Sequence, residues 1–181
     1  GAPVVTAYYT DPHGNLTLDV GERKHRVADL VTAEGAGWAD AGRPGLVVTG
    51  SALVPGLSPE MVRVELRDAV SGDTYSHAAA IDESSEPLRW SVTVPLGRAA
   101  DGRSISDGTF EVRLRVDTGR RHEVCNVPLP EALPSIRWWR GMTPVRVRLS
   151  RRKDGVLELR VARVAVMRAL RRRLGRLFGR S

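Results

Sequence analysis

"TFEVRLRVD", residues 109–117, places Phe110, Val112, Leu114 and Val116 on one side of an extended chain, with charged residues between them. A period of two marks a strand with one face buried and one in water, the condition that antiparallel sheets permit. The pattern recurs on both sides of this stretch. "MVRVELRDA" (61–69) sets Val62, Val64 and Leu66 against Arg63, Glu65 and Arg67. "LRWSVTVPL" (88–96) turns Leu88, Trp90, Val92 and Val94 inward, and "PVRVRLS" (144–150) and "VLELRVARV" (156–164) repeat the alternation. "GLVVTGSAL" (45–53) is more continuously apolar and reads as a central strand.

Turn chemistry separates these runs. "VSGDT" (70–74), "DTGRRHE" (117–123) and "RRKDGV" (151–156) read as hairpin connections, and "ADGRSISDGT" (100–109) as a longer loop. In "VADLVTAEG" (27–35) and the Gly-rich "EGAGWADAGRPG" (34–45), β-branched residues and glycine favour strand and loop over a helical turn. Short strands at this spacing predict an all-β fold, an antiparallel β-sandwich.

Composition agrees. The chain has 181 residues, 41% of them hydrophobic and 5% aromatic, so the core is built mainly from Val, Leu and Ala. A single cysteine, Cys125, excludes an intrachain disulfide and favours a reducing compartment. No stretch of eighteen apolar residues is present, and no N-terminal apolar segment reads as a signal peptide.

The net charge of +7 is unevenly distributed. Residues 164–181 carry Arg168, Arg171, Arg172, Arg173, Arg176 and Arg180 and no acid, while the other residues hold 22 bases (28 − 6) against 21 acids. Lys24 and Lys153 are the only lysines, a bias that suggests a GC-rich genome. Arginine content alone therefore does not point to nucleic acid, and none is expected as a partner. The segregated tail is more informative. Met167, Leu170, Leu174, Leu177 and Phe178 recur at the spacing of one helix face, with arginines elsewhere. A basic amphipathic helix of this kind suits an anionic membrane surface; docking onto protein is the competing use. On the membrane reading Met167, Leu170, Leu174, Leu177 and Phe178 insert shallowly, and Arg168, Arg171, Arg172, Arg173 and Arg176 face head groups.

The two ends of the β-rich region echo each other. "APVVTAYYTDPHGNLTLDV" (2–20) superposes on "TPVRVRLSRRKDGVLELRV" (143–161) at an offset of 141. Pro3 meets Pro144, Val4 meets Val145, Gly14 meets Gly155, and Leu16, Leu18 and Val20 meet Leu157, Leu159 and Val161. A fixed-period echo predicts a tandem array of modules. Residues 1–21 are then the closing hairpin of a preceding module, or else an extra hairpin captured by the present one; residues 22–163 form the sandwich and residues 164–181 the helix.

No catalytic or cofactor signature is found. His13, His25, His77 and His122 show no ligand spacing with one another or with Cys125, so neither a metal site nor a cofactor is expected. His122 and Cys125, three apart on a strand, point to opposite faces, which separates a Cys–His pair; Cys125 reads as a small core residue. The acidic "IDESSEP" (81–87) reads as a solvated loop. Dinucleotide fingerprint, P-loop and nucleophile elbow are all absent. "IRWWRGM" (136–142) offers adjacent aromatics: Trp138 and Trp139 face opposite ways in an extended chain, so one of them, with Trp38 of the Gly-rich loop, is a candidate for stacking on a sugar ring.

"YYTDPHGNLTLDV" (8–20), "WSVTVPLGR" (90–98) followed by "SDGTFEVRLRV" (106–116), and "DGVLELRV" (154–161) with the Arg-rich tail resemble the C-terminal β-sandwich region of actinobacterial glycosyltransferases of cell-wall polymer synthesis. These include family 2 glycosyltransferases and CDP-glycerol glycerophosphotransferases. The resemblance spans residues 5–180 and implies an immunoglobulin-like module following a catalytic domain, peripheral at the cytoplasmic face of the membrane. It implies a noncatalytic role: oligomerisation, positioning of a cell-wall glycopolymer acceptor, or membrane attachment. The Asp-x-Asp metal motif and the His-rich glycerophosphotransferase pattern are absent, so no catalytic residue carries over and the chemistry is expected in the upstream catalytic domain. The competing expectations are a carbohydrate-binding module using Trp38, Trp138 or Trp139, and a purely structural homo-oligomerisation domain.

Overall fold

The computed structural model describes residues 5–10, 16–20, 23–26, 30–39, 44–53, 57–117, 122–127 and 133–164. Among them the chain is all-β. Its strands are β1 (Val5–Thr10), β2 (Leu16–Val20), β3 (Arg23–Arg26), β4 (Val31–Trp38), β5 (Gly45–Ala52), β6 (Val62–Asp68) and β7 (Thr74–Ala78). They continue as β8 (Ala80–Asp82), β9 (Leu88–Pro95), β10 (Gly108–Asp117), β11 (His122–Asn126), β12 (Ile136–Arg140), β13 (Thr143–Arg151) and β14 (Leu157–Arg163). The predicted helix over 164–181, with Met167, Arg168, Leu170, Arg171, Arg172, Arg173, Leu174, Arg176, Leu177 and Phe178, lies outside the described residues from 165 onward.

Two antiparallel sheets form the body. The larger has the order β12-β13-β14-β10-β6-β7, and the smaller β4-β5-β9-β8. The ten-residue β10 organises the larger sheet. One edge pairs with β6 from Phe110 to Val116; the other is shared, with β14 along Gly108–Val112 and β11 along Arg113–Asp117. The stretch "GLVVTGSAL" does become a central strand, β5, between β4 and β9. Within the stretch read as strand and loop, Val31–Trp38 form β4, which bulges between Ala33 and Gly35 and takes in Trp38 of the expected loop.

Alternation decides which way each strand faces. Val62, Val64, Leu66, Phe110, Val112, Leu114 and Val116 from the larger sheet share one core with Leu46, Val48, Trp90, Val92 and Val94 from the smaller. Val145, Val147, Leu157 and Leu159 extend that core toward β13 and β14, and Leu88 packs at its margin. Burying one such side chain contributes about 1.5–3 kcal/mol, against about 0–1 kcal/mol for a surface ion pair. Register therefore follows the apolar face, and the charged face accommodates it.

A third sheet, of order β1-β2-β3, takes up the N-terminal hairpin. None of its strands pairs with a strand of the other two sheets among the described residues. The boundary expected after residue 21 falls between β2 and β3, which are hydrogen-bonded from Thr17↔Arg26 to Val20↔Arg23. The predicted echo has a counterpart in register. Thr10↔Leu16, Tyr9↔Thr17 and Tyr8↔Leu18 in the first hairpin match Arg151↔Leu157, Ser150↔Glu158 and Leu149↔Leu159 in the second at the same offset of 141. A shift between Val5 and Tyr8 then ends the correspondence.

Candidate interaction surface

The hairpin β12–β13 is built from "IRWWRGMTPVRVRLSR" (136–151), which holds five arginines and no acid. Alternation sends Val145, Val147 and Leu149 into the core and leaves Ile136 and Trp138 half-buried against it. The opposite face carries Arg137 and Trp139 on β12 and Arg146 and Arg148 on β13. A two-residue turn joins the strands. Gly141 adopts φ +59° there and Met142 does not adopt a positive φ, the pattern of a type II′ turn. Met142 stands at the tip, 94% exposed, and Trp139 is 68% exposed beside it.

The root of the turn is fixed from beneath. The Arg140 guanidinium donates to Ile105 O at 2.6 Å and is paired with Asp107. Asp107 also forms an ion pair with Arg163, whose Nε lies 2.7 Å away, so one carboxylate ties β12 to β14 through the 100–107 loop. Arg140 is thereby committed to structure.

Charge on the outer face of the larger sheet is compensated in the middle and not at this end. Arg115 contacts Glu65 at 3.2 Å and Asp117 at 3.3 Å, Arg113 pairs with Glu111, and Arg160 contacts Glu158 at 3.1 Å. Burial alone would raise the Glu111 carboxyl, but hydrogen bonds from Arg152 and Arg113, with their charges, hold it below its usual value. Arg137, Arg146 and Arg148 have no ion-pair partner among the described residues. Like charges even face each other across the ladder, at Arg137↔Arg146 and Arg148↔Arg160. Such pairing disfavours the sheet by about 0.2–1 kcal/mol each. Charge on an edge strand guards against edge-to-edge aggregation, which accounts for Arg137 on β12. It does not account for Arg146 and Arg148, one strand in.

The chain leaves this sheet at the same end. Val164 N donates to Pro144 O at 2.8 Å, and Pro144 is the cross-strand partner of Trp139. Val164, the last described residue before the Arg-rich sequence, therefore lies beside the exposed tip.

The other candidates are placed differently. Trp38 is half-buried against the core, and its Nε1 donates to Pro134 O at 2.7 Å, fastening β4 to the segment that enters β12. Trp139 is thus the one of the three candidate tryptophans with an exposed ring. Cys125 packs on the core opposite Leu114. His77, on β7, is pushed below the usual imidazole value by burial, which outweighs its hydrogen bond to the Ala99 backbone and the Asp101 charge; its Nε2 has no hydrogen-bond partner in its buried site. In the acidic loop, the Asp82 carboxylate accepts from Ser84 N at 3.0 Å and Ser84 Oγ at 2.6 Å and so closes its own turn. No group of three or more His, Cys, Asp or Glu side chains that could hold a metal ion occurs among the described residues, and no described helix is long and apolar enough to cross a membrane. Shallow depressions of about 400 Å³ beside Gly35, Trp38 and Val47, and about 420 Å³ beside Thr49, Ile81 and Trp90, lie on the smaller sheet.

Reasoning from sequence singled out the tryptophan pair but missed Met142, Arg146 and Arg148. The signal was present: residues 132–153 contain seven bases and no acid. Averaging charge over the whole body concealed it. No protein-family model matches the chain, and no curated protein matches it significantly.

Proposed function

We propose that the chain is a noncatalytic, immunoglobulin-like accessory module that attaches a larger bacterial glycosyltransferase to the anionic cytoplasmic surface of the cell membrane. The glycosyltransferase context rests on the strand motifs quoted above and their resemblance to that family. The immunoglobulin-like reading is supported by two antiparallel sheets closed over one core.

The observation that carries the membrane reading is the end-on segregation of charge and apolar side chains. Arg137, Arg146 and Arg148, which lack ion-pair partners among the described residues, exposed Trp139 and Met142, and Val164, after which the Arg-rich segment follows in sequence, all lie toward one end of the larger sheet. An arginine near an anionic bilayer contributes about 1 kcal/mol, and salt weakens that contribution. The test is cosedimentation with phosphatidylglycerol-containing vesicles. Removal of residues 164–181 is expected to weaken partition more than about tenfold. Undiminished binding by the shortened chain, with its fold checked by circular dichroism, would overturn the assignment of the anchor. A second reading, sugar stacking, is favoured by the same exposed Trp139 ring and predicts competition by a soluble polyol-phosphate glycan.

A further inference from the structure

We propose that the β12–β13 hairpin is a second membrane-contacting element, in which Trp139 and Met142 enter the bilayer interface and Arg137, Arg146 and Arg148 engage lipid phosphates. The proposal rests on the membrane reading above and names a site for it outside the Arg-rich tail.

Three observations favour an anionic lipid surface as the occupant. The first is the order of side chains along the hairpin. Met142 is at the tip, the Trp139–Pro144 row comes next, the Arg137–Arg146 row follows and Arg148 is behind it. Successive rows on one face of a strand are about 7 Å apart, two residues of rise. An interfacial element buries its apolar part roughly 5–10 Å into the headgroup and acyl boundary. With Met142 and Trp139 at that depth, the Arg137–Arg146 row reaches the level of the phosphates, and Arg148, about 7 Å behind it, extends its long side chain toward them. The second observation is charge complementarity, since Arg137, Arg146 and Arg148 lack acidic partners among the described residues. The third is position: Val164 is held on Pro144, so a tail lying on a bilayer would bring the tip to the same surface.

The side chains themselves discriminate between partners. A soluble glycan or nucleic acid would use the arginines and the Trp139 ring, but it has no use for a methionine placed at the apex. Tryptophan is the side chain enriched at membrane–water interfaces, where its ring is apolar and its N–H stays hydrated.

The experiment uses the full chain and vesicles of phosphatidylglycerol and phosphatidylcholine, some carrying brominated acyl chains that quench nearby indoles. Trp38, Trp90 and Trp138 are buried or half-buried and serve as internal references. Quenching is expected in the native chain and is expected to vanish in Trp139→Phe, which keeps an apolar ring and hence most of the binding. Joint replacement of Trp139→Ala and Met142→Ser should weaken partition at least about tenfold, the conversion of burying one of the two side chains. Arg146→Gln and Arg148→Gln should each weaken it about fivefold, about 1 kcal/mol converted. All four positions have side chains on the surface or at its rim, and thermal melting checks each variant.

If the full chain binds anionic vesicles but Trp139→Phe leaves quenching unchanged, the tip is not inserted and this proposal falls, while the membrane reading stands on the tail. If the full chain does not bind, both fall. If soluble polyol phosphate or RNA protects Trp139 from an aqueous quencher while vesicles do not, the ligand is a polyanion in solution and the proposal is overturned.

Discussion

Gly50 shows how a single hydrogen can decide a core. It lies opposite Trp90 in the β5–β9 ladder, and the indole fills the space a side chain would occupy. A Cβ there would sit 2.0 Å from Thr32 O and 2.3 Å from the ring. Trp90 is also fastened by its Nε1, which donates to Ser51 O at 3.2 Å. Gly50→Ala is therefore expected to destabilise the protein by about 1–3 kcal/mol, an overpacking cost, read as a lower urea midpoint; an unchanged midpoint would contradict this packing. His77 gives a second expectation at this scale. Its folded-state value lies below the ordinary 6.5 because burial penalises the cation. The unfolded chain takes up that proton more readily, so the stability that depends on neutral His77 is complete above 6.5 and declines as pH falls below it. His77→Gln should flatten that part of the urea-midpoint profile; an identical profile in the variant would assign the decline to other groups.

At the scale of the element, the β12–β13 hairpin sets stability against interaction. Arg146 faces Arg137 across the ladder, and neither has an acidic partner among the described residues. Arg146→Glu converts a like-charge pair into an opposite one, and should raise stability by about 0.5 kcal/mol at low salt while weakening binding to anionic vesicles. A variant that loses stability would show that Arg146 is held by contacts other than charge. The elements also show what sequence can and cannot convey. Strands such as β6, β9 and β10 were legible because a period of two is local and burial enforces it over seven to ten residues. Which strands become neighbours was not legible. That β14 and β11 divide one edge of β10 depends on long-range pairing, which the residues of β10 do not encode by themselves. β3 joins the β1–β2 hairpin through only four residues, "RKHR", with no alternation to announce them. For the candidate surface, Trp139 was legible as one of two adjacent rings of opposite facing. That Arg146 and Arg148 lack an acidic partner among the described residues was not, because it depends on which bases the acids of β6, β10 and β14 pair with.

At the scale of the whole molecule, charge follows architecture. At the centre of the larger sheet acids and bases on β6, β10 and β14 pair with one another, as Arg115–Glu65 and Arg160–Glu158 illustrate. The β12–β13 end is basic, and the smaller sheet presents Thr49, Ser91 and Thr93 outward. Polarity of this kind orients a protein at a charged surface before contact, and it is screened over a Debye length of about 8 Å at physiological salt. Vesicle binding by the full chain should therefore weaken steeply with added salt; salt-independent binding would mean that apolar insertion alone is responsible.

One feature of the larger sheet bears on how such an attachment would carry load. β14 runs into Val164 with β13 bonded along one side and β10 along the other. Tension applied to the chain beyond Val164 along the direction of β14 pulls that strand lengthwise between its neighbours. Both rows of hydrogen bonds are then sheared together and share the force, whereas a strand peeled sideways from a sheet edge yields one bond at a time. Val164 is thus held by a strand that such a pull would have to shear from two neighbours at once.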